Sequence, residues 1–313
     1  MASKMEEAYD INFCFPVPET LENERIQLTP FIPAVHAKPF IDQALLHPEI
    51  WTYLPFGPYK DADDYVANLI ETRVRPNPGY VLFTIFDKTK PSLECVNFPG
   101  TIAGTLGLIN SSAPNLSTEI GCIIILPAFQ RTHVASNAVG LLLQYALNLP
   151  NQQPGALGLR RVFWQANTLN KPSIRLAERM CFRFEGVLRW DRVLPEGKDA
   201  VGAGNGRGLR EGDPRGGCVG RDTAMLSLCW DDWEDGGREK TSGNCSWLNS
   251  QGACIAVDYT GLARREWLRW LAQLVVHINS ESVLLAPFAA RKTRYISEYA
   301  IDNQPYALPG WNR

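Results

Sequence analysis

Between residues 20 and 233 the apolar positions switch repeatedly between a two-residue and a helical spacing, and each switch marks a new element. Arg25 to Thr29 alternates polar and apolar residues, as a half-buried strand does. Helical stretches are expected over 33–46 and 61–73, parted by the proline-, glycine- and aromatic-rich run Trp51 to Tyr59. Strands follow at Tyr80 to Phe86, Thr101 to Ile109 and Thr118 to Leu126, the last stopped by Pro127. A helix over Thr132 to Asn148 places Val134, Ala138, Leu141, Leu142, Tyr145 and Leu149 on one stripe. Arg161 to Ala166 reads as a strand, and Asn170 caps a helix that runs through Met180. Phe184 to Val193 and Thr223 to Trp230 form a closing strand pair. Alternating strands and helices of this kind predict a mixed α/β domain.

Three segments fall outside that pattern. Residues 1–20 form an irregular lead-in. Pro195 to Gly220 holds nine glycines and almost no large apolar residue, so a mobile hairpin insertion without core contacts is expected. Its glycines lack the strand-then-helix context of a nucleotide fingerprint. The charged run Glu234 to Gly243 reads as a boundary, beyond which the tail to residue 313 carries one amphipathic helix, Leu262 to Ile278.

Composition narrows the setting. Of 313 residues, 45% are hydrophobic and 20% charged, which suits a globular protein. A net charge of −2 gives no bulk argument for a nucleic-acid partner. No signal-like N-terminus or membrane-length apolar run is present, so no membrane span and a cytoplasmic location are expected. The eight cysteines include no CxxC pair and read as reduced thiols, without a metal site.

The segment that can carry chemistry is Glu119 to Ala135, a strand running through a tight turn into a helix N-terminus. The first N–H groups of a helix lack internal partners and carry partial positive charge, so an anion fits there. Arg131 adds a cation able to pair with phosphate in a fork. Local physics supports a generic anion site and nothing narrower.

Gln130-Arg131-Thr132-His133-Val134-Ala135 resembles the pyrophosphate motif Gln/Arg-x-x-Gly-x-Gly/Ala of the GNAT acetyltransferase superfamily, with His133 in place of a glycine. Trp164-Gln-Ala-Asn167, Asn170-Lys-Pro-Ser173, Ala177 to Arg189 and Arg221-Asp222-Thr223 extend the likeness towards the branch containing ribosomal-protein-alanine acetyltransferases. It covers about residues 20 to 233 and excludes the insertion and the tail. The resemblance implies a mostly antiparallel sheet splayed between two parallel strands, with helices on both faces. It implies acetyl-CoA as co-substrate, its pyrophosphate held by Gln130, Arg131, Thr132, His133, Val134 and Ala135. Asn167, Asn170 and Ser173 would contact the coenzyme arm, although Asn170 is equally a helix cap. His133 is either a loop residue beside the phosphates or a base. The implied reaction transfers acetyl to a primary amine, of a small molecule or a protein N-terminus.

Such a transfer needs a base, because an ammonium has no lone pair. Glu119 heads an otherwise apolar strand and by alternation shares a face with Gly121 and Ile123, away from Ile120 and Cys122. It is either that base or a solvent-facing strand end. Cys181 or a water is available as an acid for the departing thiolate. Trp51, Tyr53, Phe56 and Tyr59 either line the acceptor pocket or serve as core. The alternative to an enzyme is a non-catalytic acyl-CoA-binding or scaffold protein. No oligomeric state follows from the sequence.

Overall fold

The seven strands expected from the sequence all form, and hydrogen bonding joins them with one further short strand, Leu21–Glu22, into one eight-stranded sheet. The computed structural model describes residues 9–92 and 97–245, all within one compact unit. The strands are β1 (Leu21–Glu22), β2 (Ile26–Pro30), β3 (Val81–Asp87), β4 (Thr101–Ser112), β5 (Ser117–Ile125), β6 (Arg161–Asn167), β7 (Arg183–Val193) and β8 (Gly220–Cys229). Across the sheet they stand in the order β1-β2-β3-β4-β5-β6-β8-β7. Only β5 and β6 run parallel; the other neighbours are antiparallel. The mixed fold with a single parallel pair is therefore the one expected.

The helices are α1 (Pro33–Ala44), α2 (Ala62–Tyr65, continued by π-helical turns over Val66–Val74), α3 (Val134–Leu147), α4 (Lys171–Arg179), and the short α5 (Trp230–Asp232) and α6 (Arg238–Asn244). Every residue of β3 is buried, so both faces of the sheet are covered there. The core joins Phe40, Tyr65, Phe83, Phe86, Leu142 and Val162, all at most 1% exposed. None of the described helices is long and apolar enough to cross a membrane.

Three expectations need correction. The first concerns the stripe on α3: Leu149 lies beyond the helix end at Leu147 and is 41% exposed, whereas every α3 residue but Ala135 is buried. One face lies on the sheet, while the lead-in and α6 cover the other. The Tyr145 hydroxyl donates to the Pro16 carbonyl, and Cys245 Sγ approaches the Ser136 carbonyl at 3.2 Å.

The same contact moves the domain boundary. The run Glu234 to Gly243 is not a linker, because Trp233 and Thr241 are fully buried and the Trp233 indole donates to Asn148 Oδ1 at 2.9 Å. The domain continues at least to Cys245. The proposed tail helix, Leu262 to Ile278, and Cys95 and Cys254 lie outside the described residues.

The glycine-rich segment also packs, contrary to its composition. Ala203 is fully buried, and the Lys198 side chain is drawn in to donate to the carbonyls of Trp51 and Phe56. Burial lowers the Lys198 pKa to about 8, which still leaves the ammonium predominantly charged at neutral pH, where it donates to those carbonyls. A count of apolar residues cannot see this anchor, since its apolar part is a lysine stem.

Candidate active site

The parallel pairing of β5 and β6 lasts for three residues, Ser117 to Glu119 against Arg161 to Phe163. Beyond it β6 stays on β8 as far as Asn167 against Thr223, whereas β5 turns away with β4. The cause is a bulge. Gly121 opposes Gly107 and Ile124 opposes Thr105, so two residues, Cys122 and Ile123, face Leu106 alone. Cys122 takes up the extra length with φ of 50°. The strands part, and their inner edges wall a solvent-open cleft with a cavity volume of about 70 Å³.

Glu119 stands where the strands separate and is only 4% exposed, so it is no solvent-facing strand end. Its Oε2 accepts from Asn110 Nδ2 at 2.6 Å, and Asn110 Oδ1 in turn accepts from the Tyr80 hydroxyl at 2.8 Å. Asn110 can aim its amide this way because it sits at the β4 kink with φ of 48°, a conformation asparagine tolerates. Burial raises the Glu119 pKa to about 7; the Asn110 bond and the charges of Arg192, Arg221 and Arg73 oppose that rise without cancelling it.

Alternation misplaces the neighbours of Glu119. All of Glu119, Ile120, Gly121, Cys122 and Ile123 line the cleft, because the bulge throws β5 out of its two-residue period. Desolvation pushes the Cys122 thiol up to about 12, so it stays protonated and a poor nucleophile. Cys181 does not line the cleft. The aromatic run divides: Trp51 and Tyr59 are core, while Tyr53 and Phe56 line the cleft.

Asn167, Asn170 and Ser173 reach the same cleft, but each already holds part of the fold. Asn170 Oδ1 caps α4 on the Ser173 N–H at 3.2 Å, so the cap reading is correct. Asn167 donates to the Ala203 carbonyl at 2.8 Å and accepts from the Leu169 N–H at 2.9 Å. The Ser173 hydroxyl accepts from the Trp164 indole at 3.0 Å.

The motif residues precede α3, which begins at Val134 rather than at Thr132. Gln130 and Arg131 are exposed, and Arg131 has φ of 59° and no ion-pair partner among the described residues. Thr132 Oγ1 donates to the Phe129 carbonyl at 2.6 Å, and the Val134 side chain is core. His133 Nε2 lies 3.3 Å from Asp87 Oδ1, so its ring is tied to the end of β3 and does not line the cleft. That geometry removes His133 as a base for a group bound in the cleft.

A diverging parallel pair, a buried carboxyl at the fork and a helix N-terminus beyond it suit the expected family, and sequence comparison agrees. The Acetyltransferase (GNAT) domain model matches residues 25–183. The chain belongs to the GNAT acetyltransferases. A GCN5-related N-acetyltransferase from Brucella melitensis superposes with a TM-score of 0.56 at 24% identity, covering 75% of this chain and 87% of that one. A probable GNAT-family acetyltransferase from Chromobacterium violaceum ATCC 12472 gives 0.54 at 24%, covering 75% and 97%. Mycobacterium smegmatis RimJ in complex with CoA-disulfide is similar at 15% identity and a TM-score of 0.49, covering 70% and 88%. These are likenesses of fold. No curated protein matches the chain in sequence. As a GNAT acetyltransferase the protein is an acyltransferase, which answers the scaffold alternative.

Sequence reasoning passed over four residues of this cleft. Asn110 directly follows the strand expected to end at Ile109, and Arg73, Arg192 and Arg221 are far apart in the chain. Only the fold gathers them around Glu119.

Proposed function

We propose that this acetyltransferase carries acetyl from acetyl-CoA to a primary amine by direct attack, with Glu119 as proton acceptor. The observation that carries the reading is Glu119 itself: a buried carboxyl with a pKa near 7, fixed by Asn110 at the point where β5 and β6 part. Acetyl-CoA supplies an activated acyl carbon and a thiol leaving group. The chain supplies the rest. Helix α3 offers its first N–H groups, and Arg131 its unpaired guanidinium, to the pyrophosphate at Gln130 to Ala135. The fork between Ile120 to Ile123 and Trp164 to Asn167 takes the pantetheine arm, and β5 backbone N–H groups freed by the divergence hold the acyl oxygen. Glu119 removes the amine proton as the new C–N bond forms and the C–S bond breaks. The Cys122 thiol stays protonated, which favours direct attack over an acyl-cysteine.

Calorimetry with acetyl-CoA, followed by a thiol-release assay over an amine panel, tests this. Arg131→Ala is expected to weaken acetyl-CoA binding by about tenfold, a charge-assisted contact of 1–2 kcal/mol, without changing the melting temperature. Absence of acetyl-CoA binding by the wild type would end the proposal.

A further inference from the structure

Arg221 is a charged side chain buried to 4% exposure, and among the described residues no carboxylate pairs with it. Its Nε donates to Thr223 Oγ1 at 3.1 Å. A neighbouring acid is already engaged: Asp191 Oδ2 accepts from Thr223 Oγ1 at 2.7 Å and forms an ion pair with Arg192 Nε at 3.3 Å. A guanidinium taken from water without a counter-ion is a costly arrangement, and it becomes favourable when an anion enters.

The whole cleft shares the imbalance. Arg73, Arg192 and Arg221 line it with one carboxyl, Glu119, and among the described residues only Arg192 of the three has an ion pair, with Asp191. Arg192 is held by Gln165 Oε1 at 2.9 Å, and Arg73 lies over the Phe56 ring at 5.5 Å, with no ion pair among the described residues. Burial and the neighbouring Arg192 lower the Arg221 pKa to about 10, against the weaker opposing charges of Asp191 and Glu119, so the guanidinium is charged at neutral pH while disfavoured by its surroundings. A simple amine, cationic in water, would be repelled from such a cleft. An amine with its own anion would be drawn in, and the same arginines would help its ammonium shed a proton. The coenzyme phosphates do not meet this need in the reading above, because none of Gln130 to Ala135 lines the cleft.

We infer that the acceptor is an amine bearing a carboxylate, an amino acid, whose carboxylate pairs with Arg221 beside Arg192 and Arg73. Tyr53, Leu54, Pro55 and Phe56 form the wall left for its side chain. The inference rests on the acetyl-transfer reading for the amine alone; the carboxylate site stands on the arginines.

Binding of product-like ligands tests it without turnover. The N-acetyl derivatives of leucine, phenylalanine and glutamate are titrated calorimetrically into the full chain, each against its α-amide. At least one acid is expected to bind about tenfold more tightly than its amide, as a charge-assisted fork to arginine provides. Arg221→Gln should bring that ratio to about one and leave coenzyme A affinity within about twofold. Should that variant misfold, Arg192→Gln, at a half-exposed position, should shrink the ratio too. Equal binding of acid and amide by the wild type overturns the inference, as does no binding of any probe. A loss of coenzyme A affinity in Arg221→Gln with the ratio intact also overturns it, by assigning the arginine to a coenzyme phosphate. A thiol-release assay with the free amino acids separates the two readings: acid preference without turnover upholds the carboxylate site and sinks acetyl transfer.

Discussion

Replacing Glu119 with glutamine is expected to slow acetyl transfer by about 10²–10³, the range for a lost general base, while acetyl-CoA binding stays unchanged. The substitution keeps size and shape, and the new side-chain oxygen can still accept from Asn110. The pH dependence separates a base from a structural carboxyl. In the wild type kcat/KM should climb as pH rises to about 7, where Glu119 gives up its proton, and that limb should vanish in the variant. An unchanged profile in Glu119→Gln would remove the residue from the chemistry.

Stability offers a second readout of opposite sign. The folded carboxyl keeps its proton to about 7, whereas its ordinary value is 4.5, so over that interval the native state binds more protons than the unfolded chain. Stability contributed by the neutral carboxyl is thus complete below 4.5 and is lost as pH rises through about 7. The gap is worth about 3 kcal/mol at 1.36 kcal/mol per pH unit. Glutamine carries no such loss. Glu119→Gln should match the wild type in urea denaturation near pH 4.5 and exceed it by about 3 kcal/mol at pH 8. Equal stability at both values would show that the carboxyl ionises in the fold without penalty.

How much of this was legible beforehand depended on the range of the forces involved. Local patterning located every long strand and the cap at Asn170, because alternation and capping are decided within a few residues. The family likeness pointed to the parallel pair, and the apolar strand beginning at Glu119 marked its candidate base. What local patterning missed was set at long range. The bulge sets Cys122 and Ile123 of β5 against Leu106 of β4 alone, a pairing that local alternation does not show, and alternation misplaced the neighbours of Glu119. Lys198 is buried because distant carbonyls at Trp51 and Phe56 receive it, which no composition window reveals. The boundary at Glu234 was misplaced for a related reason: α6, with the buried Thr241, packs onto α3, and Trp233 bonds to Asn148 just past it, both far earlier in the chain. His133 looked like a departure within a phosphate motif, and its tether to Asp87 gives that departure a structural role.

The bulge itself can be attacked through Gly104, where alanine is expected to cost about 3 kcal/mol, combining backbone strain with overpacking. Gly104 lies in β4 with φ of 153°, and a Cβ there would stand 2.0 Å from the Ile124 carbonyl oxygen and 3.0 Å from its carbon. Those are backbone atoms of β5 just past Cys122 and Ile123, so relief requires moving the strand rather than turning a side chain. The expected loss corresponds to a drop of about 6–12 °C in melting temperature for a domain of this size. Gly186→Ala is the control, since Gly186 has a similar φ of 159° but nothing within 4 Å of its added carbon, and about 1 kcal/mol is expected. Because the bulge directs β5 away from β6, the surviving folded fraction of Gly104→Ala should also bind acetyl-CoA more weakly, whereas Gly186→Ala should not. If Gly104→Ala were as stable as the control, the close approach would be one the strand relieves freely. If it were destabilised yet bound acetyl-CoA normally, the bulge would matter to the sheet but would not set the width of the fork that Glu119 heads.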